Sequence, residues 1–210
     1  MKRNRLVTLI VIGGLAAIAA GTFAGSSMLR ASSGSAEFQA VDVTGVPWGH
    51  DFRLMDYQGK ERRLADFRGK VVLLTFGYTS CPDMCPMTLT ALGAAMKEMG
   101  RDADKVQGLF VTVDAKRDTP QVLAQYVPAF YPTFLGLRAD EATTEKTVGE
   151  FKVYFHANSP NAEGFYTVDH SGQVFAFDPA GRIRLLIRPD RLTPESIAHD
   201  LRLLLREGAG

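Results

Sequence analysis

The apolar and polar positions divide the chain into a leading apolar block, a small polar stretch and a body of short alternating elements. Leu6 to Ala24 is an uncharged run of 19 residues behind the basic end Met1-Lys2-Arg3-Asn4-Arg5. That length predicts a single transmembrane helix over 6–24, with residues 1–5 held on the cytoplasmic side by their charge. The body would then lie across the inner membrane of a bacterium, in the periplasm. A cleaved signal peptide is the alternative, since Ala17, Ala19, Ala20 and Ala24 offer small-residue cleavage positions. The run exceeds a usual signal core, which favours the anchor. Residues 25–44, rich in Ser, Ala and Gly at their start, read as a flexible tether, leaving 45–207 as the folded domain.

Within that domain, Phe52 to Tyr57 alternates, and Gln58-Gly59-Lys60 supplies a turn before Arg62-Arg63-Leu64, predicting an N-terminal hairpin. Val71-Val72-Leu73-Leu74 has no polar alternation and reads as a strand buried on both faces. Leu89, Leu92, Met96 and Met99 then recur at helical spacing, with Pro86 suited to the first turn and Gly100 as the stop. A second apolar strand, Val106 to Val113, ends at Asp114. Asp118-Thr119-Pro120 begins a capped helix reaching about Phe130. Phe134 to Leu137 is a short strand, 140–151 a helix, and Val153-Tyr154-Phe155 a further strand before the turn-rich loop Asn158-Ser159-Pro160-Asn161. Val174 to Phe177 and Ile183 to Ile187, joined by Asp178-Pro179-Ala180-Gly181-Arg182, form a second hairpin. Thr193-Pro194-Glu195 caps a closing helix that carries Ile197, Leu201, Leu204 and Leu205 on one face. Hairpin, βαβ crossover, hairpin and helix describe an α/β domain, a thioredoxin-like sheet flanked by helices.

Composition narrows the function. Beyond Arg30, 20 Lys and Arg stand against 23 Asp and Glu, 20 − 23 = −3, which leaves no basic surface for nucleic acid. The chain holds only two cysteines, Cys81 and Cys85, four apart. Two cysteines cannot make a disulfide framework, and their spacing argues for a redox or metal pair. A structural disulfide closing a tight loop is the plainer alternative. Against it, the pair sits where a buried strand hands over to a helix N-terminus, a setting that stabilises thiolate.

A soft metal held by this pair would need a further ligand, and four histidines are available. His170 immediately precedes the late hairpin, on a loop that in a thioredoxin-like arrangement faces the cysteine helix. His199 lies about 200° around the closing helix from Ile197, on what should be its solvated face. His156 trails a strand into a loop, and His50 lies in the entry segment. His170 is therefore the candidate third ligand. Asp83 between the cysteines reads as a helix-end charge and Met84 as packing, while Met96 and Met99 belong to the core. Asp169 either orients His170 through its second ring nitrogen or is a plain loop residue.

Three separated motifs carry a family resemblance. Phe76-Gly77-Tyr78-Thr79-Ser80-Cys81-Pro82-Asp83-Met84-Cys85-Pro86 resembles the copper-site motif of the SCO/SenC family. Val111-Thr112-Val113-Asp114 with Arg117-Asp118-Thr119-Pro120 is similar to its second strand and helix start, and Asp169-His170-Ser171 to its downstream histidine motif. The likeness covers about residues 45–207. Val46-Pro47-Trp48-Gly49-His50 departs from it. The resemblance implies a membrane-tethered domain binding copper, Cu(I) or Cu(II), through Cys81, Cys85 and His170. It implies a metallochaperone that exchanges copper with other copper chaperones and delivers it to the binuclear site of cytochrome c oxidase subunit II or another copper-site protein. The chemistry agrees: two thiolates and an imidazole suit copper, whereas a structural zinc site would ordinarily want a fourth protein ligand. Because ligation displaces thiol protons, affinity should fall at low pH. The alternative function is an enzyme, a membrane-anchored thiol–disulfide oxidoreductase using Cys81 and Cys85 on partner cysteines. The absence of proline from Val168-Asp169-His170, where such enzymes usually present a cis-proline, weighs against it.

Overall fold

The structure, a computed structural model, describes residues 37–208. At its centre strand β4, Val71–Gly77, is buried along its whole length and pairs in parallel with β5, Val106–Thr112, itself wholly buried. Successive side chains of a strand point to opposite faces, so β4 feeds two cores. Val71 and Leu73 face one of them, and Val72, Leu74 and Phe76 the other. Because neither face meets water, the sequence shows a continuous apolar run instead of alternation.

The sheet extends on both sides of this pair. Next to β5 lies parallel β6, Leu135–Arg138, then the hairpin of β2, Arg53–Asp56, and β3, Glu61–Arg63. On the other side β4 pairs antiparallel with β9, Val174–Phe177, which pairs with β10, Ile183–Ile187. A two-residue strand β1, Val41–Asp42, closes that edge against β10. The first core receives helix α1, Met84–Met99, through Leu89, Leu92 and Met96. It also receives α2, Pro120–Tyr126, through Leu123, and α4, Pro194–Glu207, through Ile197, Leu201 and Leu204. The second core receives α3, Glu141–Glu150, through Val148, with Phe151 packed on Phe76 and Phe175. Thr119, Asp140 and Thr193 cap their helices by accepting from Val122, Thr143 and Ser196 amides. This is the expected α/β arrangement.

Several expectations need correction. The tether stops short of residue 44. Gln39 and Ala40 amides donate to the buried Asp200 carboxylate at 2.9 and 2.8 Å, and β1 follows at once. The strand expected at 153–155 instead lies at Phe155–Ala157, β7, because Lys152 turns at φ +55° and the Val153 amide is spent on the Val148 carbonyl. β7 pairs antiparallel with β8, Val168–His170, in a separate two-stranded sheet, so His170 ends a strand and does not sit in a loop. His199 is half-buried and not on a solvated face. The anchor expected over 6–24 lies outside the described residues. Among those described, no helix is long and apolar enough to cross a membrane.

Candidate metal centre

β4 delivers the chain to the site at Gly77, buried at the strand's end. A Cβ on Gly77 would fall 2.5 Å from Cys85 Sγ and 2.8 Å from Phe110, so glycine is what makes room for the sulfur. Tyr78 follows, 2% exposed, and its ring backs His170 edge-on at 5.8 Å between centroids. The turn that carries Cys81 is closed by its amide donating to the Tyr78 carbonyl at 3.2 Å. That turn is pinned by Asp118, a fully buried carboxylate. Asp118 accepts the Thr79 amide at 3.0 Å and the Thr79 hydroxyl at 2.6 Å, together with the Thr112 hydroxyl. Asp118 thus serves the cysteine turn, and Thr119 alone caps α2.

Cys85 lies in the first turn of α1, 3% exposed, and Cys81 in the turn before it, half-buried among exposed Ser80, Pro82 and Asp83. Both thiols are free. β8 brings His170 Nε2 to 3.3 Å from Cys85 Sγ, and its Nδ1 stands 3.1 Å from the Ser171 carbonyl. The two Sγ atoms and a ring nitrogen of His170 all lie within 4.8 Å of one another, a set that could hold a metal ion. Among the described residues no other group of three such side chains converges in this way.

Burial sets the electrostatics. It pushes the Cys85 thiol well above its ordinary range, outweighing the helix N-terminus that the sequence suggested would favour thiolate. It also lowers the His170 imidazole, keeping the ring neutral and its nitrogen available as a donor. The Tyr126 hydroxyl, buried without a hydrogen-bond partner among the described residues, is pushed up by burial and then by the two sulfurs.

The three side chains singled out by sequence come together; the other histidines do not join them. His50 and His156 are exposed. Asp169 accepts from Asn158 Nδ2 at 3.1 Å and does not orient His170, a task that falls to the Ser171 carbonyl. Met84 is 40% exposed, with its thioether packed over Gly172 at the surface. The roles of Gly77, Tyr78 and the buried carboxylate of Asp118 depend on contacts between distant elements, which no local pattern shows. The one sequence signal for Asp118 was an acid placed just before a Thr-Pro helix start.

These features match known proteins. The SCO1/SenC family model matches residues 42–206. The chain is 39% identical over 133 residues to the mitochondrial SCO2 homolog of Bos taurus, a stretch covering 62% of this chain and 50% of that protein. It therefore spans about half the length of the mitochondrial relatives it matches. ScoI of Bradyrhizobium japonicum, solved with copper bound, superposes with a TM-score of 0.68 at 38% identity, covering 74% of this chain and 98% of that one. Apo Sco1 of Thermus thermophilus gives 0.72 at 36% identity, covering 82% and 99%. With a thioredoxin-like sheet shared with both and the family pattern running through most of its length, the chain belongs to the SCO1/SenC family.

Proposed function

We propose that this chain is a copper metallochaperone, holding copper through Cys81, Cys85 and His170 and passing it on during assembly of cytochrome c oxidase. The observation that carries the reading is the convergence of two thiols and one imidazole within 4.8 Å at a half-open turn. Two sulfurs and one nitrogen are soft enough for Cu(I) and still offer imidazole to Cu(II). Three protein ligands leave a position for an incoming partner, where a closed structural zinc site would not. Support for copper also comes from the family and from its copper-bound neighbour in Bradyrhizobium japonicum. The partner we infer is subunit II of the oxidase at its binuclear site, or another copper-site protein, with other copper chaperones as donors. Residues 6–24 would anchor the chain in the inner membrane of a bacterium and hold the domain in the periplasm.

The protein's own groups account for loading and release. His170 presents a neutral ring nitrogen because burial disfavours its protonation, so the metal need not compete with a proton there. Cys85 holds its proton tightly in the metal-free state, so loading releases that proton and affinity falls as pH falls. The oxidoreductase reading stands second because His170 completes a three-ligand set that thiol–disulfide exchange alone would not need.

His170→Ala in the full-length chain separates the two readings. The expected result is an intact fold, loss or strong alteration of Cu(II)–thiolate absorption, weaker Cu(I) retention and failed oxidase assembly in cells. Normal copper spectra and oxidase activity with impaired reductase activity would overturn the copper reading and make His170 a tuner of redox chemistry.

A further inference from the structure

The methionines beside the metal centre are placed unlike those of the core. Met96 and Met99 are buried on the inner face of α1, as their helical spacing requires. Met84 and Met87 are 40% and 66% exposed, and they flank Cys85 on the outer face of the same helix. Residues three apart on a helix are surface neighbours. Both line one cleft of about 260 Å³, completed by Asp83, Thr88, Pro189 and Leu192. Met84 is also seated. A Cβ on Gly172 would fall 2.1 Å from Met84 Sδ and 3.4 Å from Pro189, so the thioether occupies the space that glycine leaves free. Gly172 stands two residues after His170, which brings the Met84 sulfur to the rim of the candidate centre. Here two polarizable sulfurs share a cleft with an exposed carboxylate, Asp83.

We infer that Met84 and Met87 form a separate thioether site for Cu(I), a receiving position from which the ion passes to Cys81 and Cys85. The inference rests on the copper reading above and extends it to the route of entry. Thioethers select Cu(I) over harder cations. They carry no proton to displace and cannot close a disulfide, so they can take the ion without proton release and whatever the redox state of the cysteine pair. Their neutral sulfur binds more weakly than thiolate, which makes the transfer downhill. The transfer is a ligand exchange: thioether–copper bonds break, thiolate–copper bonds form, the thiol protons leave to water, and copper stays Cu(I).

The test uses the full-length chain in detergent, labelled with 13C at the methionine methyls, and Ag(I) as a redox-inert probe. In the Cys81→Ser/Cys85→Ser variant, one equivalent of Ag(I) should move the Met84 and Met87 signals together. Met55, 40% exposed on β2, serves as the control and should lag behind. Equal movement at Met55, or none at Met84 and Met87, overturns the site. A second variant keeps the cysteines: Met84→Leu/Met87→Leu should slow Cu(I) uptake from a weak chelator roughly tenfold, about 1.4 kcal/mol in the barrier. That slowing should exceed any change in the equilibrium constant, and an unchanged rate also overturns the site. If the wild-type cysteines take no copper, the chaperone reading fails by itself, while the Ag(I) shifts are read without them.

Discussion

Gly77 shows how narrowly the metal centre is fitted at the scale of one residue. Its neighbours leave no room for a methyl group: the nearest atoms to an added Cβ are Cys85 Sγ at 2.5 Å and Phe110 at 2.8 Å, both buried. Neither can retreat, since Phe110 belongs to the packed core and Cys85 is fixed in the first turn of α1. Gly77→Ala should therefore cost about 1–3 kcal/mol in denaturant unfolding. Copper retention should fall with it, because the displaced atom is a candidate ligand. Unchanged stability together with unchanged copper retention would show that the sulfur has slack, and that the centre is not held to the geometry described. Tyr78 acts at the same scale: its buried ring backs His170, so the imidazole is steadied by packing on one side and by the Ser171 carbonyl at Nδ1.

At the scale of elements, the centre is assembled from three pieces that are far apart in sequence, and Asp118 is the tie between two of them. It stands just before α2 yet accepts from Thr79 in the turn before α1 and from Thr112 at the end of β5. Asp118→Asn keeps the shape but replaces one accepting oxygen with a donor, leaving at least one of these buried donors unpaired, a cost of about 1–3 kcal/mol. The pH dependence of that cost has a definite sign. Burial, helped by the Asp114 charge, raises the Asp118 carboxyl in the folded state. A raised group adds stability below its unfolded value, about 4, and that stability is lost as pH rises through the folded value. The gap between wild type and Asp118→Asn should thus be widest below about pH 4 and narrow toward neutrality. A gap that widens with pH would mean that the folded carboxyl is lowered, not raised. Elements of this kind were legible wherever a local rule decides them: the unbroken apolar run of β4, the caps at Thr119 and Thr193, the turn between β9 and β10. The three candidate ligands were legible for the same reason, as rare side chains at the ends of such elements. What sequence left out depends on partners far along the chain. β1 exists only because β10 offers an edge, β7 is displaced by the turn at Lys152, and the thiolate expected at a helix N-terminus gives way to the burial of Cys85.

For the whole molecule the decisive question is where the independently folded body begins. The composition change puts it near residue 45, and the contacts put it at Phe38. Phe38 and Ala40 pack on the core that α4 shares with α1. The amides of Gln39 and Ala40 satisfy both oxygens of Asp200, a carboxylate only 2% exposed. Val41 and Asp42 then pair with Leu186 and Leu185, and Arg184 Nε donates to Thr44 Oγ1 at 2.8 Å. A chain lacking residues 1–36 keeps all of this, so it should fold, remain monodisperse and bind copper at the stoichiometry of the full-length protein. A chain lacking residues 1–44 loses the apolar contacts, strips a buried carboxylate of two donors and bares the edge of β10. The lost hydrogen bonds alone are worth about 1.5–3 kcal/mol each where the acceptor is charged. An open edge strand invites pairing with another copy. Thermal unfolding of the two truncated chains should therefore differ by several degrees, with the shorter one aggregating first. Equal midpoints would place residues 38–44 back in the tether, and Asp200 would then have to find its partners elsewhere.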